Sequence, residues 1–338
     1  MCACSAVGEI RLPKGFKIET YARVRGARHL TCAPDGTLFV GTANSSVYAV
    51  TPRREVRELA RGLNSPNGVA FANGDLYIGE IHRLSRIRNV LEHLDGKARL
   101  EVLNDQLPKA RHHGLRVLRF GPDGRLYIGV GAPCNVGETP LPHATLSRFS
   151  SDFRRVEPYC LGVRNTMGFD WSPADATLWF SDNGRDLLGD DIPPEEINQA
   201  PKSGMHFGFP YHFGNNQPDP EYGPRLPGGL RTTPPKISMP AHVAPLGLRF
   251  YRGRQFPASY HGAIFLANHG SWNRSTPLGY RLVVAYPKTA RSEIFAEGWL
   301  QGSKVSGRPV DVEVLPDGSL IVSDDHGGNL YRISYSKP

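Results

Sequence analysis

The 338-residue chain lacks the motifs of several common catalytic engines. It contains no G-x-S-x-G, no H-E-x-x-H, no P-loop and no G-x-G-x-x-G. Acyl transfer at a nucleophile elbow, zinc proteolysis and nucleotide binding through those loops are therefore set aside. Cysteine is scarce: Cys2, Cys4, Cys32, Cys134 and Cys160 form no C-x-x-C pair and no zinc-finger spacing. Their odd number excludes complete intramolecular pairing and leaves room for one disulfide. No apolar run approaches the roughly 20 residues a membrane-spanning helix needs, so no transmembrane segment is expected. Charged residues are slightly under-represented at 21%, whereas Gly (37) and Pro (29) are over-represented, as in an ordered, turn-rich β protein. The net charge is +8, but the basic residues are scattered and form no stripe interleaved with aromatics, so a nucleic-acid partner is not expected. Two uses of that charge stay open: solubility, or arginines gathered to hold a polyanionic small molecule.

What the chain does have is one phrase, six times over. A turn rich in Pro, Asp, Asn or Gly leads into an apolar strand ending in Gly, Ser or Ala. The copies are Ala33-Pro-Asp-Gly-Thr-Leu-Phe-Val-Gly41, Ala72-Asn-Gly-Asp-Leu-Tyr-Ile-Gly79 and Gly121-Pro-Asp-Gly-Arg-Leu-Tyr-Ile-Gly129, followed by Ser172-Pro-Ala-Asp-Ala-Thr-Leu-Trp-Phe-Ser181, Tyr260-His-Gly-Ala-Ile-Phe-Leu-Ala267 and Leu315-Pro-Asp-Gly-Ser-Leu-Ile-Val-Ser323. Recurrence at intervals of roughly 40 to 85 residues predicts a radial repeat, because one small sheet cannot bury both of its faces alone. The expected fold is all-β, a six-bladed β-propeller over residues 10–338 with residues 1–9 as an N-terminal segment. Ring closure is expected from Gly15–Ala22 pairing with Leu330–Ser334, which would remove the exposed sheet edges. The longest insert, about 183–245, is expected to separate the fourth and fifth repeats. Asn89-Val-Leu-Glu-His-Leu is expected to form a helical turn.

Polar residues gather at the margins of these repeats, where loops of a propeller face its axis. Arg111-His-His-Gly114 precedes the third repeat, and an imidazole such as His113 is suited to taking a hydroxyl proton near neutral pH. Arg164-Asn165 leads into the fourth. Ser181-Asp-Asn-Gly-Arg185, with Asp190, Asp191, Glu196 and Asn198, offers oxygens to a hard cation such as Ca²⁺ without EF-hand spacing. His242 and the run Asn268–Arg274 flank the fifth repeat, and Arg308 precedes the last. Each has a bland local explanation; their shared position points to one axial site.

Taken in order, the motifs resemble a known family. They are His113 upstream of Gly-Pro-Asp-Gly, Leu161-Gly-x-Arg-Asn165, Asn183-Gly-Arg with Asp190-Asp-x5-Ile-Asn198, Phe207-Gly-Phe-Pro-Tyr211, His242-Val-Ala-Pro and Gly307-Arg-Pro-Val-Asp311. The set is similar to the soluble sugar dehydrogenases that use pyrroloquinoline quinone (PQQ), the glucose/sorbosone and pyranose dehydrogenases. The resemblance implies PQQ lying on the axial face with one Ca²⁺, and a sugar, aldehyde or alcohol oxidised by hydride transfer. It implies His113 as the base, and Arg164 as the group polarising the reacting carbonyl, with Asn165 beside it. Gly184 and Arg185 would hold Ca²⁺ through main-chain carbonyls, and His242, Arg274 and Arg308 would contact the cofactor. Electrons would pass to a quinone, cytochrome or dye. A periplasmic or secreted location is expected, although Met1-Cys-Ala-Cys-Ser-Ala has neither the basic start nor the apolar core of an export signal.

The chain also departs from the glucose-oxidising pattern. No acidic residue follows the third repeat strand, where Gly129-Val-Gly-Ala132 stands; Val310 replaces a second basic residue, and Met167 replaces a glutamine. Ala132-Pro-Cys-Asn-Val136 is shared with the sorbosone/pyranose branch. Two other readings are carried alongside. One is a propeller lactonase with Asn165, Asp182 or Asn198 as direct metal ligands, and the other is a non-catalytic binding propeller.

Overall fold

Each of the six turn-and-strand phrases forms the second strand of a four-stranded antiparallel blade. The computed structural model describes residues 10–337, so Cys2 and Cys4 and the whole of the expected N-terminal segment lie outside the described residues. The innermost strands, in blade order, are Ala27–Cys32, Gly68–Ala72, Leu118–Phe120, Phe169–Trp171, Pro245–Phe250 and Pro309–Val314. Each is followed by its phrase strand and two outer strands, giving six blades around one axis. Among the described residues no helix is long and apolar enough to cross a membrane, and the expected turn at Asn89 is a short 3-10 helix, Val90–Glu92.

The recurring residues have identifiable jobs. The turn aspartates cap their own loops: Asp35 accepts the Thr37 N–H at 2.9 Å, Asp123 that of Arg125 at 3.1 Å, Asp175 that of Thr177 at 3.1 Å and Asp317 that of Ser319 at 2.9 Å. The small residue ending each strand lies against the next blade. A Cβ on Gly41 would stand 2.0 Å from the Asn67 carbonyl oxygen entering blade 2, and one on Gly129 would stand 2.9 Å from that of Thr166 entering blade 4. Where serine replaces glycine, it uses the same closeness to bond across the seam. Ser181 Oγ donates to Leu246 O of blade 5 at 2.7 Å, and Ser323 Oγ to Arg28 O of blade 1 at 2.5 Å. Apolar layers fill the space between blades, such as Phe39, Val47, Val69, Leu76 and Ile78 between the first two.

The ring closes as expected: Phe16–Arg23 pairs antiparallel with Asn329–Tyr335, with Ile18 opposite Ile333, so the N-terminal strand completes blade 6. The long stretch 183–245 differs from the expectation. It does not separate two blades, because it supplies both outer strands of blade 4, Glu195–Ala200 and Ile237–Met239. The insert proper lies between those two strands, and it lends Met205–His206 to blade 3 as a parallel fifth strand. Cys32, Cys134 and Cys160 are free thiols, so the one disulfide that sequence allowed does not join any two of them.

The axis is filled by charge. Arg249 sits between Asp311 (3.3 Å) and Glu313 (3.2 Å), while Arg119 bridges Asp170 (3.2 Å) and Glu313 (3.4 Å). Arg252 closes the chain on Asp170 at 2.6 Å. His29 accepts the Val69 N–H at Nδ1 and is kept neutral, its pKa driven well down by burial and by Arg249 and Arg119. Five of the six inner strands thus meet in one network that balances three arginines against three carboxylates. The blades consequently enclose a packed column, and any site on the axial face is a dish with a floor.

Candidate active site

The residues that the resemblance assigned to cofactor, base and metal lie on one face of the ring, whereas Asn198 stands within the third strand of blade 4. The face is built from loops that enter the inner strands and from loops joining the second and third strands of each blade. His113 and Arg164-Asn165 enter blades 3 and 4, His242 and Arg308 enter blades 5 and 6, and Gly184, Arg185 and Arg274 lie on second-to-third-strand loops of blades 4 and 5. The residue closing the phrase strand ties these loops down. In blades 2, 4 and 6 it is acidic: Glu80 accepts the Asn64 N–H at 2.7 Å, Asp182 those of Arg164 (2.9 Å) and Asn165 (2.7 Å), and Asp324 that of Arg308 at 2.8 Å. Burial raises the Asp182 carboxyl to about 7 although both of those amides oppose the shift.

His113 is half-buried, in a left-handed backbone conformation (φ 48°). Its Nδ1 lies 2.8 Å from Ala132 O. A carbonyl only accepts, so Nδ1 carries the hydrogen and Nε2 is left with its lone pair. Burial, then Arg164 and His112, lower its pKa to about 3. The acidic residue missing from the third repeat strand is replaced here by a main-chain carbonyl, which orients the ring and opposes, without overcoming, the lowering by burial. Gly131 fits between His113 and Asn165: a Cβ there would lie 2.5 Å from His113 Cβ and 2.9 Å from Asn165 Oδ1. The two side chains are thereby brought together. Gly131→Ala is expected to displace the imidazole and lower turnover by roughly 10²-fold, with thermal unfolding measured in parallel to show that the fold survives.

Arg164 is buried, with four of its five guanidinium N–H groups engaged and one on Nη1 left over. Its Nε donates to Asn135 O (2.7 Å), Nη1 to Asn183 O (3.1 Å), and Nη2 to Asn135 Oδ1 (2.9 Å) and Asp186 Oδ2 (3.1 Å). Burial pulls its pKa down from the ordinary arginine value and Asp186 opposes that.

Next to it, Gly184 donates its N–H to Glu195 at 2.8 Å, and Arg185 reaches Asp219 at 2.8 Å. No described residue donates to the carbonyl oxygens of Gly184 or Arg185. Arg185 Nε is buried without a partner and lines a cavity of ≈ 30 Å³ together with Arg164, Asp182 and Glu196. Two unclaimed main-chain oxygens side by side suit a hard cation.

His242 and Arg274 serve the loop that follows. His242 Nε2 donates to Gly189 O at 2.9 Å and Nδ1 accepts from Asn273 at 3.3 Å, so neither ring nitrogen is left over. Arg274 donates to Asp190 O and to Ala241 O (3.3 Å), while Asp190 accepts the Ser275 N–H at 3.0 Å. Together they clamp residues 186–191.

Arg308 lies across the dish, its guanidinium over the Tyr280 ring (5.4 Å), with Nε on His269 O (3.2 Å) and Nη2 on Gly270 O (2.7 Å). Beside it is Arg28, which was not singled out from sequence. Arg28 is buried, bonded to Asn67 at 2.9 Å and paired with Asp325. Burial and the neighbouring Arg308 both weigh against its charge, and Asp325 supports it. Among the described residues, Nη2 of Arg28 and Nη1 of Arg308 have no hydrogen-bond partner. Two crowded arginines near one carboxylate give this side of the dish donors suited to an anion. His269, bonded to Asp325 at 2.9 Å, adds no charge there, because burial lowers it to about 4.

An uncharacterised protein of Borreliella burgdorferi is 35% identical over 347 residues, covering 97% of this chain and 91% of its own length. Residues 229–336 match the family model described as TrAA12-like. A PQQ-dependent pyranose dehydrogenase of Coprinopsis cinerea is 30% identical over 124 residues, 29% of this chain and 16% of that protein. Residues 229–336 are thus similar to the TrAA12-like family, and 29% of the chain is similar to a PQQ-dependent pyranose dehydrogenase. In three dimensions, the holo PQQ domain of the Coprinopsis cinerea pyranose dehydrogenase superposes with a TM-score of 0.79 at 16% identity, covering 96% of this chain and 97% of that one. A calcium structure of the Trichoderma reesei family AA12 enzyme gives 0.80 at 16% identity, covering 97% of each. At such identity these two superpositions establish the shared six-bladed fold.

Besides Arg28, sequence reading passed over Asp186 and Asp325. Asn135 lay inside the Ala132–Val136 phrase but was given no role. The readable signal for Arg28 was a charged pair, Arg28-His29, inside an otherwise apolar inner strand.

Proposed function

We propose that this protein oxidises a sugar at a carbinol carbon, with PQQ and Ca²⁺ seated in the dish. The observation that carries the reading is His113. Its Nε2 lone pair is unprotonated, its ring is held by Ala132 O, and it is packed against Asn165 beside the Arg164 charge. When bound, PQQ would supply the two-electron acceptor and Ca²⁺ the Lewis acid that polarises it.

The residues fit that pair. The free guanidinium edges of Arg28 and Arg308 suit carboxylates of a planar polyanion, and the Gly184 and Arg185 carbonyls suit the metal. With the cofactor bound, His113 would take the hydroxyl proton at Nε2, and Asn165 and Arg164 would orient the reacting groups around it. His242 and Arg274 act through the 186–191 loop, since their own polar atoms are already engaged there. An aldose in its pyranose form is the substrate class this reading favours, sorbosone-type compounds included. A quinone, cytochrome or dye would take the electrons, and a periplasmic or secreted setting suits such an exchange.

The test is direct. The apoprotein is given PQQ and Ca²⁺, and aldose-dependent reduction of a dye is followed. Absence of quinone uptake would remove the reading altogether. Arg308→Ala is expected to weaken PQQ binding by roughly 10- to 100-fold, the loss of about 1.5–3 kcal/mol from a charged hydrogen bond. Equal affinity in variant and wild type would take Arg308 out of the cofactor site.

A further inference from the structure

Large exposed apolar side chains on this protein are few, and several stand on the site face. Trp272 is 70% exposed on the blade 5 loop, Leu187 74% on the blade 4 loop and Leu141 64% on the blade 3 loop. Single exposed leucines need no explanation, but a tryptophan held out in water by locked neighbours does. Before it, Ser271 is pinned by its N–H to Leu278 O (2.8 Å), by Leu278 N–H to its hydroxyl (2.9 Å) and by Tyr280 Oη to its carbonyl (2.6 Å). After it, Asn273 donates to Asp186 (2.9 Å) and His242 (3.3 Å), and Arg274 holds Asp190. The indole is therefore presented on a fixed backbone, which lowers the entropy a ligand must overcome to use it. The loop segment that follows it, Asn273 to Thr276, is polar and offers partners of the kind that hydroxyl groups at a ring edge use.

Its position says which ring it would meet. Trp272 is separated from Arg164 by Asn273 and Asp186 in series, and it lies two blades round from His113. A ring reacting at His113 is not the ring that reaches Trp272. We infer that Trp272 is the stacking platform for a second sugar residue, and that the protein accepts the reducing end of a disaccharide or longer oligosaccharide. This rests on the sugar-oxidising reading above.

Steady-state rates with a dye acceptor are measured for glucose, maltose and cellobiose with wild type, Trp272→Ala and Trp272→Phe. Saturation-transfer NMR of the same sugars is recorded on the apoprotein. The expected result is a disaccharide KM raised about tenfold in Trp272→Ala, the size of one lost aromatic contact. The kcat and the glucose KM should stay unchanged, Trp272→Phe should lie in between, and the disaccharide NMR signal should be lost with Trp272→Ala. Equal shifts for glucose and the disaccharides, or no shift for any of them, would overturn the second-ring assignment. So would an effect seen only with a protein electron acceptor, which would make Trp272 a redox-partner contact. If the apoprotein takes up no PQQ but the Trp272-dependent disaccharide signal persists, the quinone reading fails and the platform stands.

Discussion

His113→Asn is expected to bind PQQ and Ca²⁺ as wild type does and to lose about 10²- to 10⁴-fold in kcat, the range over which a positioned base accelerates proton removal. Asparagine is the informative replacement because His113 has a left-handed backbone (φ 48°), which asparagine tolerates better than most residues. Loss of activity is then not confounded with a rearranged loop. The assignment has a second readout in the apoprotein, where the His113 imidazole should titrate near pH 3 when followed by NMR. Burial is the main cause and Arg164 the next, so Arg164→Met should move the midpoint upward. A depressed histidine pKa also sets the sign for stability. Between pH 6.5 and about 3 the unfolded chain takes up a proton that the folded chain refuses, so stability falls as the pH is lowered through that window. His113→Asn removes that loss and should be less acid-sensitive than wild type in urea titrations at pH 4 to 5. A variant that keeps full turnover would mean the base lies elsewhere; His112, whose ring centroid is 4.0 Å away, is the first residue to try.

Much of the ring could be read in advance because four of the six copies of the phrase combine two strong local signals. One is a turn aspartate that caps its own loop, and the other is a small residue where the next blade presses close. These act within a few residues and survive in all but the most divergent copies. The outer strands of blade 4 carry no such mark. Glu195-Glu-Ile-Asn-Gln-Ala200 reads as a solvated acidic loop, yet both glutamates are buried, with pKa values raised by burial to about 8, and Glu196 finds the Gly214 N–H at 2.7 Å. That pairing spans the insert and is invisible locally. The common face of the candidate residues was legible for the same reason as the ring, since they flank the repeats. Which of them face inward was not legible. Arg274 and His242 share the flanking position of Arg308, but the 186–191 loop folds back on them and engages their polar atoms. Arg28 sits inside a strand, where charge was not sought. Ionisable side chains within inner strands turn out to be the mark of the axis, because Arg28, His29, Arg119, Asp170, Arg249, Asp311 and Glu313 all lie there.

The axial column gives the largest expected effect on stability. Arg249→Met conserves much of the side-chain volume but leaves Asp311 and Glu313 without their shared cation. Arg249 and Asp311 are both about 1% exposed, so an uncompensated carboxylate cannot turn to water. Breaking a buried pair from one side costs about 3–5 kcal/mol. Arg252→Met is the control: its side chain is 44% exposed, Asp170 keeps Arg119, and a loss nearer the 0–1 kcal/mol of a surface pair is expected. The deficit of Arg249→Met should also depend on pH. In the wild type burial already raises Asp311 to about 6, against the pull of Arg249, and removing Arg249 raises it further. A carboxyl raised on folding holds its proton longer in the folded than in the unfolded chain. Its contribution is intact below the unfolded pKa and is lost as the pH rises through the folded one. The variant should therefore be least impaired near pH 5 and most impaired at pH 8 in urea midpoints compared with wild type. A deficit that is flat across that range would mean the cost is packing rather than charge. Because the column floors the dish, the same variant also separates scaffold from site: at a urea concentration where it remains folded, its PQQ affinity should match that of the wild type.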